Sequence, residues 1–320
     1  MSHASEEIAS QPAMWRLAAD TARAEGARLP AAGQRAAIVG CGTSLFMAEA
    51  WAAARELAGQ GETDAFTPTE APPRSYDVIV VLTRSGTTTE VLDYVRGLAG
   101  ATRTVAVTGT PASPIVELCD ETVLLEYADE RSVVQTRFAT TALALARARL
   151  GDDIGTLADA AEGALTEPLP FDGAEIHQFV FLGHGMAVGV AREAGLKLRE
   201  AAGVWTEAYP STEFRHGPIS AIGAGSVVWA FSPAPEGTPD AVRATGATFR
   251  QARRDPMVEL LVAQRLAVAL AEGKGLDPDH PRHLTRSVIL PRDHQSPRDH
   301  QFPSDHQVPS DHQGGRSERQ

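Results

Sequence analysis

Three residues of one stretch are spaced to share a proton. Between Met186 and Ala202 the pattern is helical, and Glu193, Lys197 and Glu200 fall at i, i+4 and i+7, on one face. A partly dry carboxylate can take a proton from a carbon beside a carbonyl or imine and return it to the next carbon. An ammonium beside it would offset the charge that develops. The same spacing also fits a solvated face with one ion pair. Arg215-His216-Gly217-Pro218 then sets an imidazole beside a chain break, as a loop base or as a structural loop residue.

Two turns could hold an anion. Gly40-Cys41-Gly42-Thr43-Ser44 joins a short apolar run to a helical pattern, which suits an anion at a helix start or simply a tight turn needing two glycines. Thr83-Arg84-Ser85-Gly86-Thr87-Thr88-Thr89 follows a second apolar run. Five hydroxyls around one glycine exceed what a helix cap needs, so the stretch reads as a phosphate loop.

The elements that must position these residues alternate. A helix over residues 4–28 is expected to continue around Pro12, with Ile8, Trp15 and Leu17 buried. Strands are expected over 36–40, 77–82, 103–108 and 121–125, with helices over 45–57, 91–98, 136–150 and 154–165. The second half repeats this outline: strands 179–182, 204–209 and 226–231, helices 186–202 and 256–272, and room for one further helix and strand after Phe231. Apolar strands alternating with helices predict an α/β protein with open, doubly wound parallel sheets, whose ligands bind at the carboxyl ends of strands. Pro168 and Pro170 mark a candidate domain boundary. The divisions are an arm over 1–28, a first domain over 29–167, a smaller second domain with an extended segment over 168–290, and a tail over 291–320. In that tail four hexapeptide units carry His294, His300, His306 and His312 with almost no apolar residue, so disorder is expected and metal binding is the lesser alternative.

A net charge of -12 and pI near 5.3 argue against a nucleic-acid surface. Two cysteines, Cys41 and Cys119, make neither a disulfide framework nor a metal site. Without a signal-like or membrane-spanning apolar run, a soluble cytoplasmic protein is expected, with no metal or cofactor.

Taken in order, several stretches resemble the sugar isomerase (SIS) domain family, and within it the isomerase half of glutamine-dependent glucosamine-6-phosphate synthase. They are Glu7 to Pro12, Gly40 to Ser44, Thr83 to Thr88, Phe138 to Thr141, Glu193 to Glu200, Glu207 to Tyr209, Glu213 to Pro218 and Asp277 to Val288. The resemblance implies two tandem SIS domains of flavodoxin-like type, a homodimer and a phosphosugar ligand. It assigns phosphate binding to Thr83, Arg84, Ser85 and Thr88 with Ser44 nearby, and lining of the sugar to Val133 and Gln135. Glu200 takes the role of the base, Lys197 that of a site lysine, and His216 that of a ring opener reaching the partner's site.

Three departures are expected to matter. No glutaminase domain or N-terminal cysteine is present, Arg286 stands where the synthase has a lysine able to attack the sugar carbonyl, and the phosphate loop has Arg84 for an amide and Thr87 for a carboxylate. These favour a phosphosugar isomerase or amino-sugar-phosphate deaminase over a synthase. The alternatives are a non-catalytic phosphosugar sensor, weakened because no DNA-reading module fits in the about 30 residues before the first strand, and a degenerate dimer partner.

Overall fold

The computed structural model describes residues 2–171 and 175–291, so the expectations for the histidine tail fall outside the described residues apart from Pro291. Residues up to Ile289 form one compact unit. It opens with α1 (His3–Glu25), then β1 (Ala36–Val39), α2 (Thr43–Leu57), β2 (Thr63–Phe66), β3 (Val78–Leu82), α3 (Thr89–Gly97), β4 (Arg103–Thr108), α4 (Pro114–Leu118), β5 (Glu121–Leu124), α5 (Arg137–Leu150) and α6 (Ile154–Thr166). It continues with β6 (Gln178–Gly183), α7 (Met186–Ala202), β7 (Trp205–Pro210), β8 (Ser226–Ala230), α8 (Thr238–Ala244), β9 (Thr248–Gln251) and α9 (Pro256–Gly273). All strand pairs are parallel, in the orders β2-β1-β3-β4-β5 and β7-β6-β8-β9. Both orders reverse direction beside the sheet's first strand, which opens a crevice at the carboxyl ends of β1 and β3 and of β6 and β8.

Alternation along the strands builds the layers. Ala36 and Ile38 join Phe179, Phe181 and Trp229 in one core with α1, α2, α5, α7 and α9, whereas Ala37 and Val39 face a second cluster with α3. Val180 and Leu182 turn to a third cluster with Phe214 and Val242 of α8. One expectation is corrected. Leu17 is 39% exposed, because the buried stripe of α1 runs through Ile8, Gln11, Trp15, Ala18 and Ala22, and Leu17 lies off it. Gln11 sits in that stripe because Gln264 and Thr140 satisfy its amide at 2.6 and 2.9 Å. The sheet also gains β2, an edge strand whose sequence Thr-Asp-Ala-Phe lacks a continuous apolar run.

The central contact joins α2 to α7. A Cβ on Gly189 would lie 2.4 Å from the Phe46 carbonyl oxygen and 2.7 Å from the Ala50 nitrogen, so only glycine admits this approach. In an exposed helix Gly→Ala would gain about 1 kcal/mol. Here Gly189→Ala is expected to destabilise by about 1–3 kcal/mol, read as a lower denaturation midpoint, because the obstacle is backbone. The turns entering α2 and α7 are near copies, with Gly42 at φ 57, ψ -124 and Gly185 at φ 56, ψ -129, a conformation that side-chain-bearing residues avoid.

Candidate active site

Because α7 crosses against α2, its polar face meets the first sheet's turn. Lys197 is 1% exposed, and its ammonium donates to Glu200 Oε2 at 2.5 Å and to Thr43 Oγ1 at 2.9 Å. Thr43 in turn donates to Glu193 Oε1 at 3.2 Å, which lies 3.3 Å from Lys197 Nζ. Burial pushes the Glu193 carboxyl up to about 8, against the attraction of Lys197. Burial alone would lower the Lys197 ammonium, but Glu193 and Glu200 outweigh it and hold the group above its ordinary value. The solvated-face alternative therefore does not describe this stripe. Glu200 is partly exposed, with 19% of its side chain accessible, and lines a cleft of about 320 Å³ with Arg199, Asp277, His280, Arg282 and His283. His280 Nδ1 lies 3.0 Å from Asp277 Oδ2.

The hydroxyl-rich turn after β3 is folded on itself and on the C-terminal segment. Thr83 Oγ1 accepts from the Gly86 amide, and Ser85 Oγ accepts from the Thr87 amide and hydroxyl at 3.3 and 3.1 Å. The Thr87 hydroxyl also lies 3.0 Å from Ser287 Oγ, and that of Thr88 3.3 Å from it. Ser85, Thr87, Thr110, Asp129, Arg286 and Ser287 are among the residues lining a cleft of about 440 Å³. Ser44 is buried on the first turn of α2, next to Thr43. Burial and nearby Glu90 push the Cys41 thiol in that turn up to about 11, so it is no nucleophile at neutral pH.

Arg84 is turned inward and is 1% exposed. Its guanidinium donates to the carbonyls of Ser132 (3.0 Å), Val133 (3.3 Å) and Arg286 (2.9 Å), and lies 3.8 Å from the buried Glu130 carboxylate. Burial lowers its pKa, partly opposed by Glu130. Any hold Arg84 has on an anion is therefore through the loops it braces. Glu130 caps α5, accepting from the amides of Thr136, Arg137 and Phe138 at 2.6, 2.7 and 3.2 Å. Glu7 accepts from the Arg131 and Ser132 amides at 2.5 and 3.3 Å, and burial raises its carboxyl. The loop bearing Val133 and Gln135 is thus fixed at several points, and Gln135 Oε1 is buried without a hydrogen-bond partner among the described residues. Arg286 reaches the same loop, bonding the Glu130 carbonyl and Asp129 Oδ1, the latter at 2.5 Å.

Asp279 anchors the C-terminal segment. Its carboxylate accepts from the amides of His3 (2.8 Å) and Ala4 (2.7 Å) at the start of α1, and its carbonyl from Val133 (3.0 Å). Asp279→Ala is expected to cost about 0.5–2 kcal/mol in denaturant unfolding, because two helix-end donors lose their acceptor. His216 is exposed on the loop after β7, and no side-chain hydrogen bond joins it to Glu200 among the described residues.

The structure thus joins Glu200 and Lys197, through Thr43, to the turn that bears Ser44, and brings Ser85 and Thr88 to the Arg286 segment, while no side-chain hydrogen bond links His216 to either group among the described residues. Sequence reasoning assigned no role to Thr43, Glu130, Asp279 or Ser287. Glu193 was visible in the helical spacing, and Asp279 and Ser287 lay in a stretch that carried the resemblance. Their partners are distant in sequence and left no local signal. Among the described residues no group of three or more His, Cys, Asp or Glu side chains is placed to hold a metal, and no helix is long and apolar enough to cross a membrane.

No family model matches the chain. It is 29% identical over 267 residues to a glutamine–fructose-6-phosphate aminotransferase (isomerizing) of Pseudomonas syringae, covering 67% of this chain and 44% of that protein. The same enzyme of a Synechocystis species is 32% identical over 158 residues, 40% of this chain and 25% of that protein. The chain spans less than half the length of these curated relatives. Among solved structures, glucosamine-6-phosphate deaminase of Thermotoga maritima superposes with a TM-score of 0.77 at 23% identity, covering 90% of this chain and all of that one. The C-terminal domain of the Francisella tularensis aminotransferase gives 0.75 at 21% identity, covering 88% and 98%. Tagatose-6-phosphate ketose/aldose isomerase of Escherichia coli gives 0.72 at 20% identity, covering 92% and 98%.

Proposed function

We infer that the resemblance read from the motifs stands, because the sequence is related to the isomerizing aminotransferases and the fold is shared with phosphosugar isomerases and a glucosamine-6-phosphate deaminase. From that premise we propose that the chain is a cytoplasmic phosphosugar isomerase or amino-sugar-phosphate deaminase. It would comprise two tandem SIS domains, over about 29–167 and 168–290, and act as a homodimer. The observation that carries the proposal is the buried Lys197 held between Glu193 and Glu200, with Thr43 linking it to the first sheet's turn.

In this reading the phosphate is held by hydroxyls and amides of Ser44, Thr83, Ser85 and Thr88, on a loop that Arg84 braces, with Val133 and Gln135 beside the sugar. Glu200, the partly exposed carboxylate of the cluster, moves the proton between C1 and C2 of the open-chain sugar through an enediol or enamine. Lys197 holds that carboxylate and offsets the negative charge that develops. His216, exposed and without a side-chain hydrogen bond to Glu200 among the described residues, opens the ring in the partner's site. Arg286, a guanidinium in place of a primary amine, serves as an oxyanion or phosphate contact, without forming a Schiff base. No metal or cofactor enters these steps.

One observation favours a second reading, a sensor that binds phosphosugars without turnover: Arg286 is already engaged by Asp129 and the Glu130 carbonyl. The two readings part in one experiment. Purified protein is incubated with hexose and hexosamine phosphates, and ketose formation, ammonia release and binding are all measured. Ketose or ammonia formation supports the enzyme, and binding without turnover across the panel supports the sensor.

A further inference from the structure

A cleft of about 570 Å³ lies along β9, the edge strand of the second sheet, and shares no lining residue with the Glu200 or Ser85 clefts. In a chain of net charge -12 it carries four arginines, Arg250, Arg253, Arg254 and Arg265, against two carboxylates, Glu167 and Glu259.

Two of these arginines are committed. Arg254 pairs with Glu167 and, at 3.4 Å, with the buried Glu259, while Arg265 donates to the Ala164 and Glu167 carbonyls at 2.7 and 3.0 Å. The other two make no side-chain hydrogen bond among the described residues. Arg250 stacks 4.9 Å above the Trp229 ring with Nη2 3.6 Å from Glu259 Oε2. Its side chain donates no hydrogen bond among the described residues, and its Nε is buried without a partner. Arg253 is exposed and likewise donates none among the described residues. A stacked, charge-held guanidinium is pre-organised, so little conformational entropy is lost when its idle donors are taken up.

We propose that this cleft binds a dianionic phosphate ester, with Arg250 and Arg253 taking the phosphate and Phe171, whose ring lies 5.7 Å from that of Trp229, seating the organic part with Pro168 and Pro170. The guanidinium fork matches phosphate oxygens two at a time. Among the described lining residues four cations against two carboxylates leave two positive charges, close to the roughly -1.5 to -2 of a phosphate monoester. The volume falls in the range of about 300–1,000 Å³ typical of small-molecule sites. The site is independent of the phosphosugar chemistry above and stands or falls without it.

The test is calorimetric titration of the full chain with phenyl phosphate and with inorganic phosphate at low salt. In a Ser85→Ala/Thr88→Ala background, which removes the phosphate loop's hydroxyls, phenyl phosphate is expected to bind saturably, and at least about tenfold more weakly once Arg250→Gln/Arg253→Gln is added. Should that combination fail to fold, Arg253→Gln alone, at an exposed position with no side-chain hydrogen bond among the described residues, is expected to weaken binding about threefold. No saturable binding in that background, or undiminished binding in the arginine variants, would overturn the proposal. Equal affinity for inorganic phosphate would overturn the apolar seat.

Discussion

Turnover of a hexose or hexosamine 6-phosphate by Glu200→Gln is expected to fall about 10²–10⁴-fold with KM little changed. The amide is nearly isosteric and its oxygen can still accept from Lys197, which meets Glu200 Oε2 at 2.5 Å in the native protein. What it cannot do is take a proton. The loss should therefore appear in kcat while the unfolding midpoint stays close to that of the native chain. Steady-state kinetics and thermal unfolding on one preparation check both halves. Near-native kcat would remove Glu200 as the base, and a large fall in the midpoint would reassign it to a structural role.

The largest stability effect is expected at Lys197. Replacing it with methionine should destabilise the chain by about 3–5 kcal/mol, because Glu193, fully buried, is left without its cation. The deficit should depend on pH. Burial raises the folded-state pKa of Glu193 from 4.5 to about 8 even with Lys197 present. A carboxyl raised in this way contributes stability that is fully present below 4.5 and is lost as pH rises through about 8. Without the ammonium the ionised form is less favourable still, so the variant's deficit should be smallest from about pH 5 to 7, where Glu193 is protonated in both folded chains, and grow as pH rises through and above about 8. Adding Glu193→Gln should restore part of the loss at the higher pH. Urea unfolding across that interval measures it, and a deficit independent of pH would mean that Glu193 is not the group left stranded.

Much of the fold was legible because it rests on local patterns. Near-continuous apolar runs at Val78–Leu82 and Gln178–Gly183 can only be strands covered on both faces, and each is followed by a glycine-bearing turn and a helix. Such signals fail where tertiary context overrides them. Thr63–Phe66 is a strand because β1 offers it an edge, and Gln11 is buried because Gln264 and Thr140 satisfy its amide. The expectation for Arg84 shows a subtler limit. A cation in a hydroxyl-rich loop reads as an anion contact, yet its donors go to three carbonyls on segments 48, 49 and 202 residues away.

The sequence alone therefore determined the parallel α/β architecture, the hydroxyl-rich turn at Thr83 to Thr88 and the shared face of Glu193, Lys197 and Glu200, since each depends only on residue type and on helical or strand period. Whether that face was solvated or buried was beyond it. The tertiary structure decided this through Gly189, whose missing side chain lets α7 lie on the backbone of α2 and carries Lys197 to Thr43, 154 residues away. Burial there sets the charges of the cluster, because a carboxylate and an ammonium removed from water keep their charges only where partners compensate.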